Sequence, residues 1–320
     1  MLVYIKPLSI FPELHSDTIF GALTFAIKQL YPEKLEEMIK EFETNPPFII
    51  SSPFPYIFNE SEQVKFYPKI SLKLDNAKED YEIDDVKTYK KLKYVDEEIF
   101  HKIINGELEE VEILNNFKDY KVSNGFLMSR EYDIPFKLSE NIIPNNRVNR
   151  LSNQTEGIFY TSGREFKNMG LFFYIRFNDE EYVPIVKAAL KYLKDRGFGR
   201  DVSVGKGQFD YEIVDEDIES NADGKFFVNL SRFIPNDNDL ANIGEDSIYE
   251  IGSKRGRSSA GEIRKQIRFF KEGSLFPNYG DNYGKIVNVG KIDPAVEYGF
   301  AFAVKAKIDL GGVWCLENIK

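Results

Sequence analysis

A chain of 320 residues, 42% hydrophobic and 29% charged, is long enough to bury a real core and to hold two domains. No apolar run approaches the ~20 residues of a membrane-spanning helix, and MLVYIK reads as a strand rather than a signal peptide. Its one cysteine, Cys315, excludes an internal disulfide framework and any multi-thiolate zinc site, and fits a reducing cytoplasm.

A formal net charge of −10 counts against free nucleic-acid binding, but the charges are segregated. Asp75 to Glu112 is acid-rich, whereas Arg147 to Lys167 and Lys254 to Lys271 are basic. Such a pattern suits one polyanion-facing side and another that faces solvent or a partner.

In chain order, Leu2 to Lys6 predicts a strand. Ser16 or Asp17 then caps a helix with Ile19, Phe20, Leu23, Ile27 and Leu30 at helical spacing. Pro32 opens a second helix with Leu35, Met38, Ile39 and Phe42 on one face. FIISSPFPYIF, Phe48 to Phe58, is apolar but broken by proline, which predicts an edge strand or a loop over the core. The stretch from about 46 to 145 reads as an insertion without a sustained core pattern. Within it, Asp96 is expected to cap a short helix over Glu97 to Ile104. GLFFYIRF, Gly170 to Phe177, is a strong strand, with Phe159-Tyr160 expected to start its hairpin partner. Val183, Val186, Ala189, Leu190 and Leu193 mark an amphipathic helix, and Gln208 to Val214 alternates like a strand.

Set aside the insertion and the order is βαββαβ, a ferredoxin-like framework shared with the RNA-recognition module. The expected fold class is α+β, with two such units. The first spans residues 1–214. Asp215 to Gly224 reads as a linker, and residues 215–320 hold strands at KFFVNLSRF, Ser247 to Ile251, Lys265 to Phe270 and Gly299 to Ile308.

DRGFGRDVSVGKGQF, residues 195–209, stands between helix and strand. It interleaves Gly197, Gly199, Gly205 and Gly207 with Arg196, Arg200 and Lys206. Nucleotide cradles run strand–loop–helix, so the reversed order argues against a dinucleotide fingerprint or P-loop. The loop either lets a polyanion lie close to the main chain or is a basic surface turn. A second basic strip, Gly252 to Gly273, includes Lys254, Arg255, Arg257 and Arg264. It reads as a phosphate-facing surface or a charged hairpin.

Histidine is scarce. His15 is placed either to act as a general base in metal-free RNA cleavage or to contact phosphate, whereas His101 reads as structural. His15-Ser16-Asp17 holds the residue types of a hydrolase triad, but adjacent residues seldom adopt triad geometry and no nucleophile elbow is present. Asp84-Asp85 lies in the acidic insertion and reads as a solvated face. No cofactor or metal motif is found.

Together, HSDTIFGAL, DRGFGRDVSVGKGQF, Gly252 to Leu275 ending in KEGSLF, and EYGFAF resemble the RAMP superfamily of CRISPR proteins. PPFIISSPFPY and RVNRLSNQTEGIFY extend the likeness to one subgroup, the fourth subunit of the Csm (type III-A) effector complex. The resemblance implies a non-catalytic antiviral subunit that grips the repeat-derived 5′ tag of the CRISPR RNA. It implies contacts with the large polymerase/cyclase-like subunit and with a Csm backbone subunit. The RNA-facing residues would be His15, Ser16, Arg147, Arg150, Arg164, the glycine loop with Arg196, Arg200 and Lys206, and Lys254, Arg255, Arg257 and Arg264. Arg147 to Thr161 would form a thumb that presses on the guide. Two alternatives stand beside this reading: a metal-independent CRISPR RNA endonuclease using His15, and the equivalent subunit of a Cmr (type III-B) complex.

Overall fold

The structure is a computed structural model that describes residues 1–72, 83–199, 202–256, 263–290 and 295–308. Arg200, Arg257 and Cys315 lie outside the described residues.

β1 (Leu2–Pro7) leads to α1 (Ser16–Leu30), which buries Ile19, Phe20, Leu23, Ala26 and Ile27. The cap residue of α1 is His15 rather than Ser16 or Asp17, with Thr18 completing a reciprocal capping box. Ser16 and Asp17 instead start the helix and are buried. α2 (Pro32–Thr44) follows, with proline at its first turn and Met38 and Phe42 inside. Next come β2 (Phe48–Ile50), β3 (Phe54–Phe58) and β4 (Gln63–Pro68). The following elements are short: α3 (Ile83–Lys91), β5 (Tyr94–Asp96), α4 (Glu97–Ile104), α5 (Glu110–Asn115), β6 (Lys121–Ser123) and β7 (Phe126–Met128). Asp96 caps α4 as expected, accepting from the Ile99 N–H at 2.9 Å. Two long strands, β8 (Lys137–Val148) and β9 (Thr155–Lys167), precede β10 (Met169–Phe177), α6 (Tyr182–Arg196) and β11 (Phe209–Val214).

The sheet runs β11-β1-β10-β3-β4-β5-β7-β6. Its first four strands stand in the order fourth, first, third, second of a βαββαβ unit, all antiparallel, with α1 and α6 as the two helices. β3 is therefore interior, not an edge strand or a loop. β10 is long enough to serve two partners: β2 pairs with its C-terminal end and β3 with its N-terminal end. Across the break the Ser51 N–H donates to the Tyr174 carbonyl at 3.0 Å, and the Ser51 hydroxyl accepts from the Tyr174 N–H at 2.9 Å. The polar groups of Tyr174 at the break are thus satisfied by one residue, through its main chain and its side chain.

Two further expectations are corrected. β9 does not pair with β10; it pairs with β8 in a separate ribbon, and the chain turns at Asn168, whose φ is 52°. Residues 46–68 belong to the central sheet, and the rest of the expected insertion contributes core. Tyr89, Leu92, Ile99, Phe100, Ile103, Ile113 and Leu114 are all buried in the main cluster. Elements of three to nine residues are too short for periodicity to accumulate, so sequence alone shows no core there.

The C-terminal part comprises β12 (Phe226–Asn229), α7 (Asp237–Asn242), β13 (Ile251–Lys254), β14 (Ile267–Phe270), β15 (Leu275–Pro277), β16 (Val287–Asn288), β17 (Val296–Glu297) and β18 (Ala303–Ala306). β15-β12-β18 form a sheet, and β13–β14 form a hairpin. The expected strand at Ser247 to Ile251 thus falls at Ile251–Lys254. This part shares its core with the N-terminal helices: Tyr298 lies 5.0 Å from Phe20 and Phe300 lies 5.8 Å from Phe42, between ring centroids. The junction so formed holds the candidate site. No helix of the described residues is long and apolar enough to cross a membrane.

Candidate nucleic-acid interface

The N-terminus of α1 faces the turn after β14. His15 Nδ1 donates to Glu272 Oε1 at 2.9 Å, while Nε2 lies 3.6 Å from Glu13 Oε1. The Ser52 hydroxyl donates to the same Glu272 oxygen. Burial disfavours the charged ring, but the bonds to Glu13 and Glu272 outweigh it and raise the His15 pKa. Burial likewise opposes a charged Glu272, yet His15 holds that carboxyl below its ordinary value. The ring is thus held between two carboxylates, which favour its charged form.

Ser16 is fully buried; its hydroxyl accepts from the Arg232 N–H at 3.0 Å. Asp17 takes Arg232 Nη1 at 2.9 Å and Lys254 Nζ at 2.7 Å. Its carboxyl resists burial through these two cations and is held at about 2. Lys254 also reaches Glu297 at 2.5 Å, and Arg264 stands 3.7 Å from the same carboxylate. Lys254 and Arg264 thus serve internal ion pairs, whereas Arg255 is exposed.

Above His15 opens a cleft of 680 Å³ between the N-terminal and C-terminal parts. Lys69, Lys90, Lys93, Arg164, Arg232 and Lys271 line it against Glu13, Glu250 and Glu272. Cations outnumber carboxylates here in a chain of net charge −10. Lys69 lies 4.2 Å over the Tyr89 ring and donates to the Tyr89 carbonyl at 3.1 Å; burial lowers its pKa. Arg164 closes one wall, paired with Glu13 at 2.7 Å.

The glycine loop lies nearby, and its residues divide into two kinds. Phe198 is buried among Phe11 and Phe209, with ring centroids 5.7 and 4.8 Å away. Gly207 donates to the Ile10 carbonyl at 2.8 Å with φ of 71°. A Cβ there would stand 1.8 Å from the Phe198 carbonyl oxygen, so this glycine is required by packing. Gly197 ends α6, and Arg196 stacks over Phe25 at 4.5 Å. Gly205, by contrast, has no heavy atom within 4 Å of a built Cβ and faces open space; Gly199 meets only Pro12. Lys206 donates to the Thr161 hydroxyl on β9 and ties the loop to the β8–β9 ribbon.

That ribbon is rooted where Phe11 bridges Arg164. Arg147 pairs opposite Gly157, about 23 Å further out at ~3.3 Å per residue. Arg147 and Arg150 are exposed near the tip, apart from the cleft. The structure therefore brings His15, Ser16, Arg164 and Lys254 together, sets the glycine loop beside them, and leaves Arg147, Arg150 and Arg255 on outer surfaces. Sequence reasoning missed Glu272, Ser52, Arg232, Lys69 and Lys93. Glu272 was legible only as an acid at the end of the basic strip, and the others carry no local signal. Among the described residues no cluster of His, Cys, Asp and Glu could hold a metal ion.

A βαββαβ core with a glycine loop between its second helix and its last strand is the framework expected from the sequence. Residues 222–306 match the family model of the CRISPR Csm4 C-terminal domain. The chain is 21% identical over 300 residues to the CRISPR system protein Csm4 of Thermococcus onnurineus (strain NA1), covering 92% of each. Its fold resembles that in a crystal structure of a Csm3–Csm4 subcomplex of the type III-A CRISPR-Cas interference complex. That match has a TM-score of 0.66 and 19% identity, and covers 95% of this chain and 98% of the other. A Csm1–Csm4 cassette in complex with pppApA gives a TM-score of 0.60 at 20% identity, covering 97% and 98%. The resemblance read from the sequence is borne out: residues 222–306 match the Csm4 C-terminal family, and the fold is similar to those in solved structures of complexes that contain Csm4.

Proposed function

We propose that this chain is the non-catalytic fourth subunit of a type III-A CRISPR interference complex, gripping the 5′ tag of the CRISPR RNA. It joins the large polymerase/cyclase-like subunit to a backbone RAMP subunit. The solved relatives carry the partner assignment, since they are Csm4 chains bound to Csm3 and to Csm1. The observation that carries the RNA assignment is the cationic cleft between residues 1–214 and 215–320, which we take as two RAMP domains. Phosphate enters beside Lys90, Lys93 and Arg164, and the main chain at Gly199 and Gly205 leaves room for a backbone to pass. Arg147 and Arg150 on the ribbon reach RNA beyond the cleft. A cytoplasmic location is part of this proposal, supported by the single cysteine of the sequence, which fits a reducing compartment.

The test combines tag-RNA binding with reconstitution. Tag RNA should bind more tightly than a scrambled strand at one salt concentration and should survive incubation in EDTA. The protein should co-purify with Csm backbone and large subunits. Cleavage of the tag that His15→Ala abolishes would instead establish the endonuclease alternative. Co-purification with a Cmr large subunit alone would establish the type III-B one.

A further inference from the structure

The core sheet has a second face, opposite α1 and α6, and part of it is open. Cross-strand partners share a face, so the register sets Tyr4 beside Glu212 and Phe172, Lys6 beside Asp210, and Tyr56 beside Gly170. Toward one end this face is covered: Phe302 stacks on Tyr174 at 5.9 Å and Phe100 on Tyr67 at 4.4 Å. At the other end it forms a groove of 200 Å³ lined by Tyr4, Lys6, Tyr56, Gln63, Asp210 and Glu212.

The groove is built for aromatic surface. A Cβ on Gly170 would come within 2.3 Å of the Tyr56 ring, so the missing side chain gives that ring its place. Tyr4 meets Tyr56 edge-on at 5.0 Å, and Phe58 lies 5.4 Å from Tyr56. The groove already holds one cation over a ring, with Lys6 Nζ 5.3 Å from the Phe58 centroid. Asp210 is paired with Lys194 at 2.6 Å, but no hydrogen bond or ion pair holds the exposed Glu212 among the described residues. Asp215, Glu216, Asp217 and Glu219 are exposed as well, but they follow β11 at the covered end, where Glu216 pairs with Lys65 at 2.7 Å and Asp217 with Arg176 at 2.6 Å.

We infer that this groove receives an arginine side chain from a basic segment of a protein partner. A guanidinium stacks on tyrosine and forms a forked bond with a carboxylate, which matches Tyr4, Tyr56 and Glu212 together. The volume suits one long side chain and falls below the ~300 Å³ at which small-molecule sites begin. Phosphate is repelled by Asp210 and Glu212, so nucleic acid is disfavoured. β11 is the edge strand, which lets a segment reach the groove without crossing another strand. The inference rests on the proposed function only for the names of the partners.

Two experiments test it. Titration with L-argininamide should shift the Tyr4 and Tyr56 ring resonances, AMP should not, and Glu212→Gln should weaken the argininamide effect about tenfold. Unshifted rings with argininamide, or larger shifts with AMP, would overturn the inference. In reconstitution with the large and backbone subunits, Glu212→Lys should lower affinity for one of them about tenfold while tag-RNA affinity stays unchanged. Unchanged affinity for both partners would overturn it as well. Should neither subunit bind the wild-type chain, the proposed assembly fails, and the argininamide titration still decides the groove.

Discussion

Removing His15 strands a largely buried carboxylate. In the wild type Glu272 is held by the His15 Nδ1–H at 2.9 Å and by Ser52, and it connects β14's turn to the start of α1. Breaking a buried pair from one side costs about 3–5 kcal/mol. Ser52 still supplies a hydrogen bond here, and the His15 side chain is 24% exposed, so the expected cost of His15→Ala is about 2 kcal/mol. Glu272→Gln removes the stranded charge, so the double variant should lose less than the sum of the singles, with a coupling of at least about 1 kcal/mol. The assay is urea unfolding of the four proteins between pH 4.5 and 6.5. The sign with pH also follows. His15's folded pKa is raised, so its contribution is full below the unfolded value of 6.5 and is lost as pH rises through the folded one. Glu272's is lowered, so its contribution is full above 4.5 and is lost as pH falls through its folded value. The coupling should therefore be largest between these limits. Strict additivity within that window would refute the argument that the two groups form one ion pair.

Other expectations follow from the same geometry. Asp17, held at about 2 against an ordinary 3.8, contributes about 2 kcal/mol above pH 3.8, lost as pH falls through about 2; Asp17→Asn should flatten that acid limb of a stability–pH curve. Gly207→Val should prevent folding of the loop, read as a lost or broadened thermal transition, because its Cβ collides with the Phe198 carbonyl. Gly205→Val, with open space but φ of 82°, should cost about 1–2 kcal/mol, remain folded by circular dichroism and lose tag-RNA affinity. Replacing Lys90 and Lys93 with Ala should reduce the log–log salt slope of RNA binding by about 1.4, at about 0.7 per phosphate contact. Lys254→Ala should instead lower stability, since its partners are Asp17 and Glu297.

Local physics made part of this protein legible from its residues alone. α1, α2, α4 and α6 were readable because apolar spacing and caps act within a few residues. The glycine loop was readable because Gly197, Gly199, Gly205 and Gly207 all take positive φ, which few other residues accept. Tertiary structure decided the rest. β3 became interior because β10 is long enough for two partners and Ser51 bridges the gap, a pairing that no proline count predicts. β9 left β10 for β8, because a strand's partner is set by what else is available to pair. The basic strip divided into internal ion pairs and exposed charge only once Asp17 and Glu297 were placed beside it. The cleft itself joins Lys69, Arg164, Arg232 and Lys271 from distant parts of the chain. Hydrogen bonding along a helix is local and leaves a periodic mark in sequence. Charges brought together by long-range packing leave none, and so the cleft existed only once the chain had folded.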